Sequence, residues 1–224
     1  MNNMETEARN LSNEVLEVRD YDFDNDLIET VRQTREPGLK VYQPAGTAVV
    51  LGRGSDPNKE INYDACLTEG VTVYQRPGGG CTVVLDTGNV IVSVVLPIEG
   101  FSNNRLYFNK LSQWLIDKLE QIGIPGVYQE SVSDLVYNGK KFCGSCIQRN
   151  KDYLYYSTTL LVEPQVQIME RYLTYPPREP EYRNGRSHTE FVGSLPVKCG
   201  VELAQALRVK LNNKTAIAEL KRLI

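Results

Sequence analysis

The 224-residue chain is poor in several features, and each shortage excludes something. Its longest strongly apolar run, Val90 to Leu96, falls far below the ~20 residues a helix needs to cross a bilayer. Neither sign of charge dominates. Twenty-five Lys+Arg against 28 Asp+Glu leave a net charge of −3, so there is no blanket electrostatic reason to bind nucleic acid. Cysteine is sparse and odd in number, five residues, which fits a reducing compartment better than a disulfide framework. The polar, acidic N-terminus lacks the basic and apolar regions of a signal peptide. These absences together point to a cytoplasmic chain with neither a membrane nor a nucleic-acid partner. Histidine and tryptophan occur once each, as His188 and Trp114. Trp114 lies in an amphipathic stretch and reads as core, and His188 reads as a residue that orients a loop.

What is present describes a globular protein. Hydrophobic content of 41% and charged content of 24% suit one large domain with a sizeable core. Charge is uneven: residues 1–30 carry nine acids and two arginines, whereas 195–224 carry six basic residues and two glutamates. Residues 1–12 read as loosely ordered. Strands are expected at Glu14 to Asp20, twice within Gly38 to Arg53, and at Val71 to Tyr74. Thr82 to Leu85 and Val90 to Leu96 look like a buried hairpin closed by Asp86-Thr87-Gly88-Asn89. Helices are expected around Leu27 to Arg35 and Asn62 to Thr68. Phe108, Leu111, Leu115, Leu119 and Ile122 mark an amphipathic helix by their three- and four-residue spacing. Val132 to Val136 and Lys140 to Gln148 should pair through Asn138-Gly139, with Tyr153 to Val162 as a third strand. Tyr175 to Arg186 reads as an irregular crossing, and the tail as two short helices. The fold class is α+β, a mixed, mostly antiparallel sheet with packed helices.

Two segments carry chemistry. Arg76-Pro77-Gly78-Gly79-Gly80 follows a strand, and its backbone N–H groups can approach an anion beside the forked cation of Arg76. It is neither a P-loop nor a dinucleotide fingerprint, because a strand follows it. The second segment is Ser133 to Cys146. Lys140 should stand in solvent. Lys141 should share a face with Cys143 and Ser145 by strand alternation, with Gly144 leaving room for a ligand. Cys143 and Cys146 form a lone CxxC; no second one supports a zinc site, and on a strand the two face opposite ways. Core packing is their simplest use, although Cys81 and Cys143 stand where both could reach one pocket.

The run YQRPGGGCTVVLDTGNVIVSVVLP resembles the glycine-rich signature of the lipoate–protein ligase family, which is related to biotin–protein ligases and octanoyltransferases. SDLVYNGKKFCGSC is similar to that family's second signature. VYQPAGTAVVLGRGSDPNKEINYDACLTEGVTV and EYRNGRSHTEFVGSL resemble its opening and a downstream element. The resemblance implies a class II synthetase-like biotin/lipoate ligase catalytic domain over residues 13–195. A short helical appendage would follow at 196–224, in place of a full accessory domain. It implies activation of lipoate or octanoate by ATP with Mg²⁺, and transfer of the acyl group to a lysine of a lipoyl carrier domain. An accessory subunit from a separate polypeptide could complete the enzyme. Lys141 falls on the catalytic lysine. Arg53, Arg76, Gly78, Gly79, Gly80 and Cys81 fall on adenylate-binding positions, as do Asp134, Gly144 and Ser145, and Asp134 is also the candidate Mg²⁺ ligand. Val83 and Val92 would wall the acyl tunnel.

The chain departs from the family pattern at several points. Gln75 replaces the first of two arginines, Leu85 replaces a histidine, and Ser157-Thr158-Thr159 replaces His-Gly-Thr. Counting back from Asp86 puts Gly78 at the usual Thr/Ser and Cys81 at the third glycine. Two rival readings stay open. One is an ATP-independent octanoyl or lipoyl transferase using a cysteine thioester; the other is a non-catalytic binding module of the same fold.

Overall fold

The computed structural model describes residues 15–99 and 103–224. Residues 1–12 and Glu14, for which loose order and a strand start were expected, lie outside the described residues. The chain runs β1 (Val18–Asp20), α1 (Asn25–Thr34), β2 (Gly38–Tyr42), β3 (Ala48–Leu51), α2 (Pro57–Glu60), α3 (Tyr63–Thr68) and β4 (Thr72–Gln75). It continues through β5 (Val83–Leu85), β6 (Asn89–Pro97), α4 (Asn104–Gln121), β7 (Tyr128–Glu130), β8 (Asp134–Tyr137), β9 (Lys140–Arg149) and β10 (Tyr153–Leu161). It closes with α5 (Val166–Tyr172), a 3₁₀ turn (Glu181–Arg183), α6 (His188–Phe191), α7 (Gly200–Leu211) and α8 (Lys214–Lys221). No helix among the described residues is long and apolar enough to cross a membrane.

The strands form two sheets. A six-stranded antiparallel sheet has the order β2-β6-β10-β9-β8-β7, and a four-stranded mixed sheet has the order β1-β4-β3-β5. In the smaller sheet β4 runs parallel to both β1 and β3. This is the expected α+β class, with the strands divided between two sheets. The Asn138-Gly139 hairpin is present, and both residues take the positive φ that a two-residue turn of matching twist demands (50° and 74°).

The buried hairpin expected of Thr82 to Leu96 does not form. The turn itself exists, with the Gly88 amide donating to the Asp86 side chain at 2.8 Å. Its two arms part, however: β5 pairs with β3, and β6 pairs with β2 and β10. β6 is buried along almost its whole length because it is covered on both faces. Val90, Val92, Val94 and Leu96 join the main core, while Ile91 and Val95 face the opposite side. Both hydrogen-bonding edges of β6 are taken, by β2 and β10, so none is left for its sequence neighbour.

α4 starts one turn earlier than its apolar spacing predicts, because the Asn103 side chain caps it at the Arg105 amide. Residues 196–224, expected as an appendage, pack into the main core. Leu203, Leu207, Leu211 and Leu220 belong to the same buried cluster as α4 and β6, and each buried leucine contributes about 1.5–3 kcal/mol. Polar contacts reinforce the packing: Arg208 Nε donates to the Val41 carbonyl at 2.9 Å, and Lys118 pairs with Glu219 at 2.5 Å.

Candidate active site

The two sheets and the segment after α5 enclose a cavity of about 490 Å³. From β9 it takes Lys141, Gly144, Ser145 and Cys146; from the glycine loop it takes Arg76, Gly80 and Cys81. Asp134 completes the expected residues that meet there. Arg53, Gly78 and Gly79 do not line it. Arg53 is exposed, and its amide donates to the Gly78 carbonyl at 2.9 Å, so it braces the loop from behind.

The loop is fixed by its own arginine. Arg76 Nη1 donates to the Val50 carbonyl at 3.0 Å, and Nη2 donates to the carbonyls of Gly79 (2.9 Å) and Cys81 (2.7 Å). Its guanidinium therefore shapes the loop instead of standing free at the mouth. Gly78 is needed for close approach: a Cβ there would sit 2.5 Å from Cys146 Sγ. Glu60, for which the sequence suggested no role, grips the far end of the loop. One carboxylate oxygen accepts from the Thr82 amide, the Thr82 hydroxyl and the Ser55 hydroxyl, each at 2.8 Å. Burial alone would raise the Glu60 carboxyl, but these hydrogen bonds outweigh it and hold it below its ordinary value.

A β-bulge decides where the lysine points. Leu135 pairs with Cys143 but Val136 pairs with Lys141, so Phe142 is the extra residue on β9. The bulge breaks strict alternation, and Lys141 shares its face with Gly144, not with Cys143 and Ser145 as expected. A Cβ on Gly144 would lie 3.3 Å from Lys141 Nζ, so the missing side chain is the space the ammonium occupies. Cys143 turns into the core, its sulfur 2.8 Å from the Thr158 hydroxyl. Ser145 borders the cavity with its hydroxyl donating to the Ser133 carbonyl at 3.1 Å. Thus Cys146, not Cys143, shares the cavity with Cys81. Lys140 is exposed as expected, with its Nζ 3.3 Å from the Thr189 carbonyl.

The irregular segment from Tyr175 supplies groups that its proline- and charge-rich sequence did not reveal. Asp134 accepts from Lys141 Nζ at 2.8 Å on Oδ1 and from the Tyr182 hydroxyl at 2.8 Å on Oδ2. Burial first, and then the Asp134 charge, push the Tyr182 hydroxyl well above its ordinary value, so it stays a donor. Arg183 is 5% exposed and lines the cavity, with its guanidinium 5.0 Å from both the Tyr175 and Phe191 rings. Its Nε donates to the Arg186 carbonyl at 2.9 Å, while its Nη2 is buried with no hydrogen-bond partner. The Glu179 carboxylate lies 3.6 Å from Nε, so this guanidinium already has an acidic partner at the cavity edge.

The single histidine also lines the cavity. Burial, followed by the charges of Arg183 and Lys141, lowers His188 below its usual value, so its neutral form is favoured. Burial pushes the Cys146 thiol up, partly offset by Arg76, which disfavours the thiolate. Of the two valines expected in the tunnel wall, Val83 is there; Val92 faces the main core, and its neighbour Ile91 lines the cavity instead. A magnesium ion held by Asp134 would share its carboxylate with Lys141 and Tyr182. Both carboxylate oxygens are engaged, and the described residues contain no group of three or more His, Cys, Asp or Glu side chains able to hold a metal.

The cavity therefore has two characters. Lys141, Arg183 and His188 gather at one end. Val50, Leu85, Ile91, Leu161 and the tyrosines Tyr21 and Tyr155 line the rest. A family model for the lipoyl protein ligase A/B catalytic domain matches residues 19–210. A probable lipoate-protein ligase A of Mycoplasma genitalium is 30% identical over 132 residues, covering 59% of this chain and 38% of the relative. A lipoate–protein ligase of Streptococcus pyogenes is 26% identical over 147 residues, covering 66% and 42%. The chain thus spans about two fifths of the length of these relatives. Among solved structures, the fold is similar to a chain of a bi-partite lipoate protein ligase studied with its E2 lipoyl domain from Thermoplasma acidophilum. That match has a TM-score of 0.66 at 18% identity and covers 93% of this chain and 89% of the other. It is also similar to lipoate-protein ligase A bound with ATP, with a TM-score of 0.62 at 18% identity and coverage of 88% and 86%.

Proposed function

Because the chain belongs to the lipoyl protein ligase A/B catalytic domain family, we propose that it activates lipoate or octanoate with ATP and passes the acyl group to a lysine of a lipoyl carrier domain. The observation that carries this reading is the two-ended cavity, with Lys141 and Arg183 beside their acidic partners at one end and apolar walls at the other. An acyl acid placed there has its carboxylate beside Lys141 and its chain between the two sheets.

In the first step a carboxylate oxygen attacks the α-phosphorus of ATP, and pyrophosphate leaves. Lys141 sits where carboxylate and phosphate must meet, and its ammonium offsets the negative charge that accumulates as they approach. Asp134 and Gly144 aim it, one by an ion pair and the other by leaving room. Arg183 lines the cavity near the lysine and adds positive charge beside the site of phosphate. Magnesium enters with the nucleotide, as part of that substrate. In the second step a carrier lysine amine attacks the acyl carbonyl and AMP leaves. The neutral form favoured at His188 suits it to take the proton that the amine gives up.

The E2 lipoyl domain studied with the archaeal neighbour supports a carrier of that type, and the neighbour's bi-partite make-up supports a separate accessory subunit. A thioester route without ATP is the rival reading, favoured by the place of Cys81 in the cavity wall. The test is incubation with ATP, Mg²⁺, lipoate and a panel of lipoyl domains, read by intact mass and pyrophosphate release. ATP-dependent acylation with matching pyrophosphate supports the ligase. Acyl transfer from one carrier to another without ATP, abolished by Cys81→Ala, replaces it with the transferase.

A further inference from the structure

The apolar end of the cavity has a length that can be read along β10. Tyr153, Tyr155, Ser157, Thr159 and Leu161 share one face of that strand by alternation. The last four line the cavity, and Tyr153 does not. Thr159 pairs in register with Gly144, where the Lys141 ammonium sits. Phe191 and Val192 stand beside Lys141 at the start of β9, with Arg183 against the Phe191 ring. The route along β10 from Thr159 to Tyr155 therefore leads away from the charged end. It is about 14 Å long, four residues at about 3.4 Å each. At Tyr155 it stops, because that ring packs with Tyr153, Val95 and Val31 of α1 in a separate buried cluster.

This end is fixed by a carboxylate that the reaction does not use. Asp24 is 3% exposed and stands at the start of α1. Its Oδ2 accepts from Ser93 Oγ at 2.6 Å, from the Tyr155 hydroxyl at 2.7 Å and from the Tyr42 hydroxyl at 3.2 Å. Tyr42 has one proton to give and gives it to Asp24, so in its 3.0 Å contact with the Tyr21 hydroxyl the donor is Tyr21. Tyr21 also lines the cavity, and its ring is held by those of Phe23 and Tyr74. One buried carboxylate thus anchors both rings.

We propose that Tyr21 and Tyr155 form the floor of the acyl site and limit the chain to about eight carbons, with Asp24 as the positioning residue that pins them. This rests on the reading of the cavity as an acyl site. Contact with the Tyr155 ring takes about 4 Å of the route, which leaves about 10 Å. An extended hydrocarbon advances about 1.25 Å per carbon, so a chain of about eight carbons fills the space. Octanoate and lipoate both have that length. A chain with four more carbons is about 5 Å too long and must displace the rings or stay partly outside.

The test is calorimetric titration of the full chain, without ATP, using octanoate, lipoate and dodecanoate. In the wild type, octanoate and lipoate should each bind at least about tenfold more tightly than dodecanoate, against the general gain from a longer apolar chain. Tyr21→Ala removes part of the floor and should raise dodecanoate affinity relative to octanoate by about tenfold, as further methylenes become buried. Tyr155→Phe keeps the ring but frees it from Asp24, and should move the same ratio by about threefold. The readout is a ratio, so a variant whose fold is merely loosened weakens all three acids without changing it. Dodecanoate binding as tightly as octanoate in the wild type overturns the proposal, with no variant required, and leaves the acyl-site reading standing. A ratio unchanged in either variant overturns it as well. Failure of all three acids to bind overturns the acyl-site reading itself, and this proposal with it.

Discussion

The two ends of the cavity are built from different parts of the chain by different means. The cationic end combines one bulged strand, β9, with the irregular segment around Tyr182 and Arg183, and it is held by contacts of 2.8 to 2.9 Å between charged or polar groups. The apolar end is made by two sheets facing each other, where Val50, Leu85 and Ile91 meet as a small buried cluster. The first end depends on a few directional bonds and can be dismantled one atom at a time. The second depends on shape and area, and single changes should alter fit more than chemistry.

Substitutions should separate the ends in order of effect. Lys141→Ala should lower the rate of acyl activation by about 10²–10³-fold, as removal of a preorganised charge-stabilising donor does elsewhere. The variant should stay folded, because Asp134 keeps its bond from Tyr182; pyrophosphate release and thermal melting together check this. Arg183→Met should raise the KM for ATP by about tenfold through loss of its positive charge, while leaving the KM for the acyl acid unchanged. Ile91→Phe should do the opposite, raising the acyl-acid KM about tenfold through overpacking at the other end. An Ile91 variant that altered ATP affinity alone would break the division.

The smallest effect is one of pH. His188 has a lowered pKa in the folded protein, so below about 6.5 the unfolded chain takes up a proton that the folded chain resists. Stability should therefore fall as pH drops from 7 toward 5, and His188→Gln should flatten that part of the curve. Denaturant midpoints at pH 7 and pH 5.5 measure it.

The two ends also differed in how far they could be read from the sequence. Local signals came through well: the Asn138-Gly139 turn, the amphipathic spacing of α4, and Lys141 with Asp134 in one hairpin. Each depends on residues close together in the chain. What was misread depends on partners far away. The arms of the Asp86–Asn89 turn look like a hairpin until β3 and β10 compete for them. The bulge at Phe142 shifts the face of Lys141 by one residue, and alternation in the sequence cannot reveal it. Arg183 gave no local signal, since its importance comes from its place in the cavity beside Phe191 and Tyr175. Asp24 sits in the acidic N-terminal stretch, yet it is buried under hydroxyls from β2, β6 and β10.

One cavity should hold the acyl chain and the adenylate phosphate at the same time. Equilibrium binding of a non-hydrolysable octanoyl-adenylate analogue tests it most directly, compared with octanoate and AMP separately in wild type, Lys141→Ala and Ile91→Phe. The joined molecule should bind at least 100-fold more tightly than either half, as expected when two sub-sites are engaged at once, and each variant should weaken it. An analogue that binds no better than octanoate alone, or that is indifferent to Lys141→Ala, would contradict it.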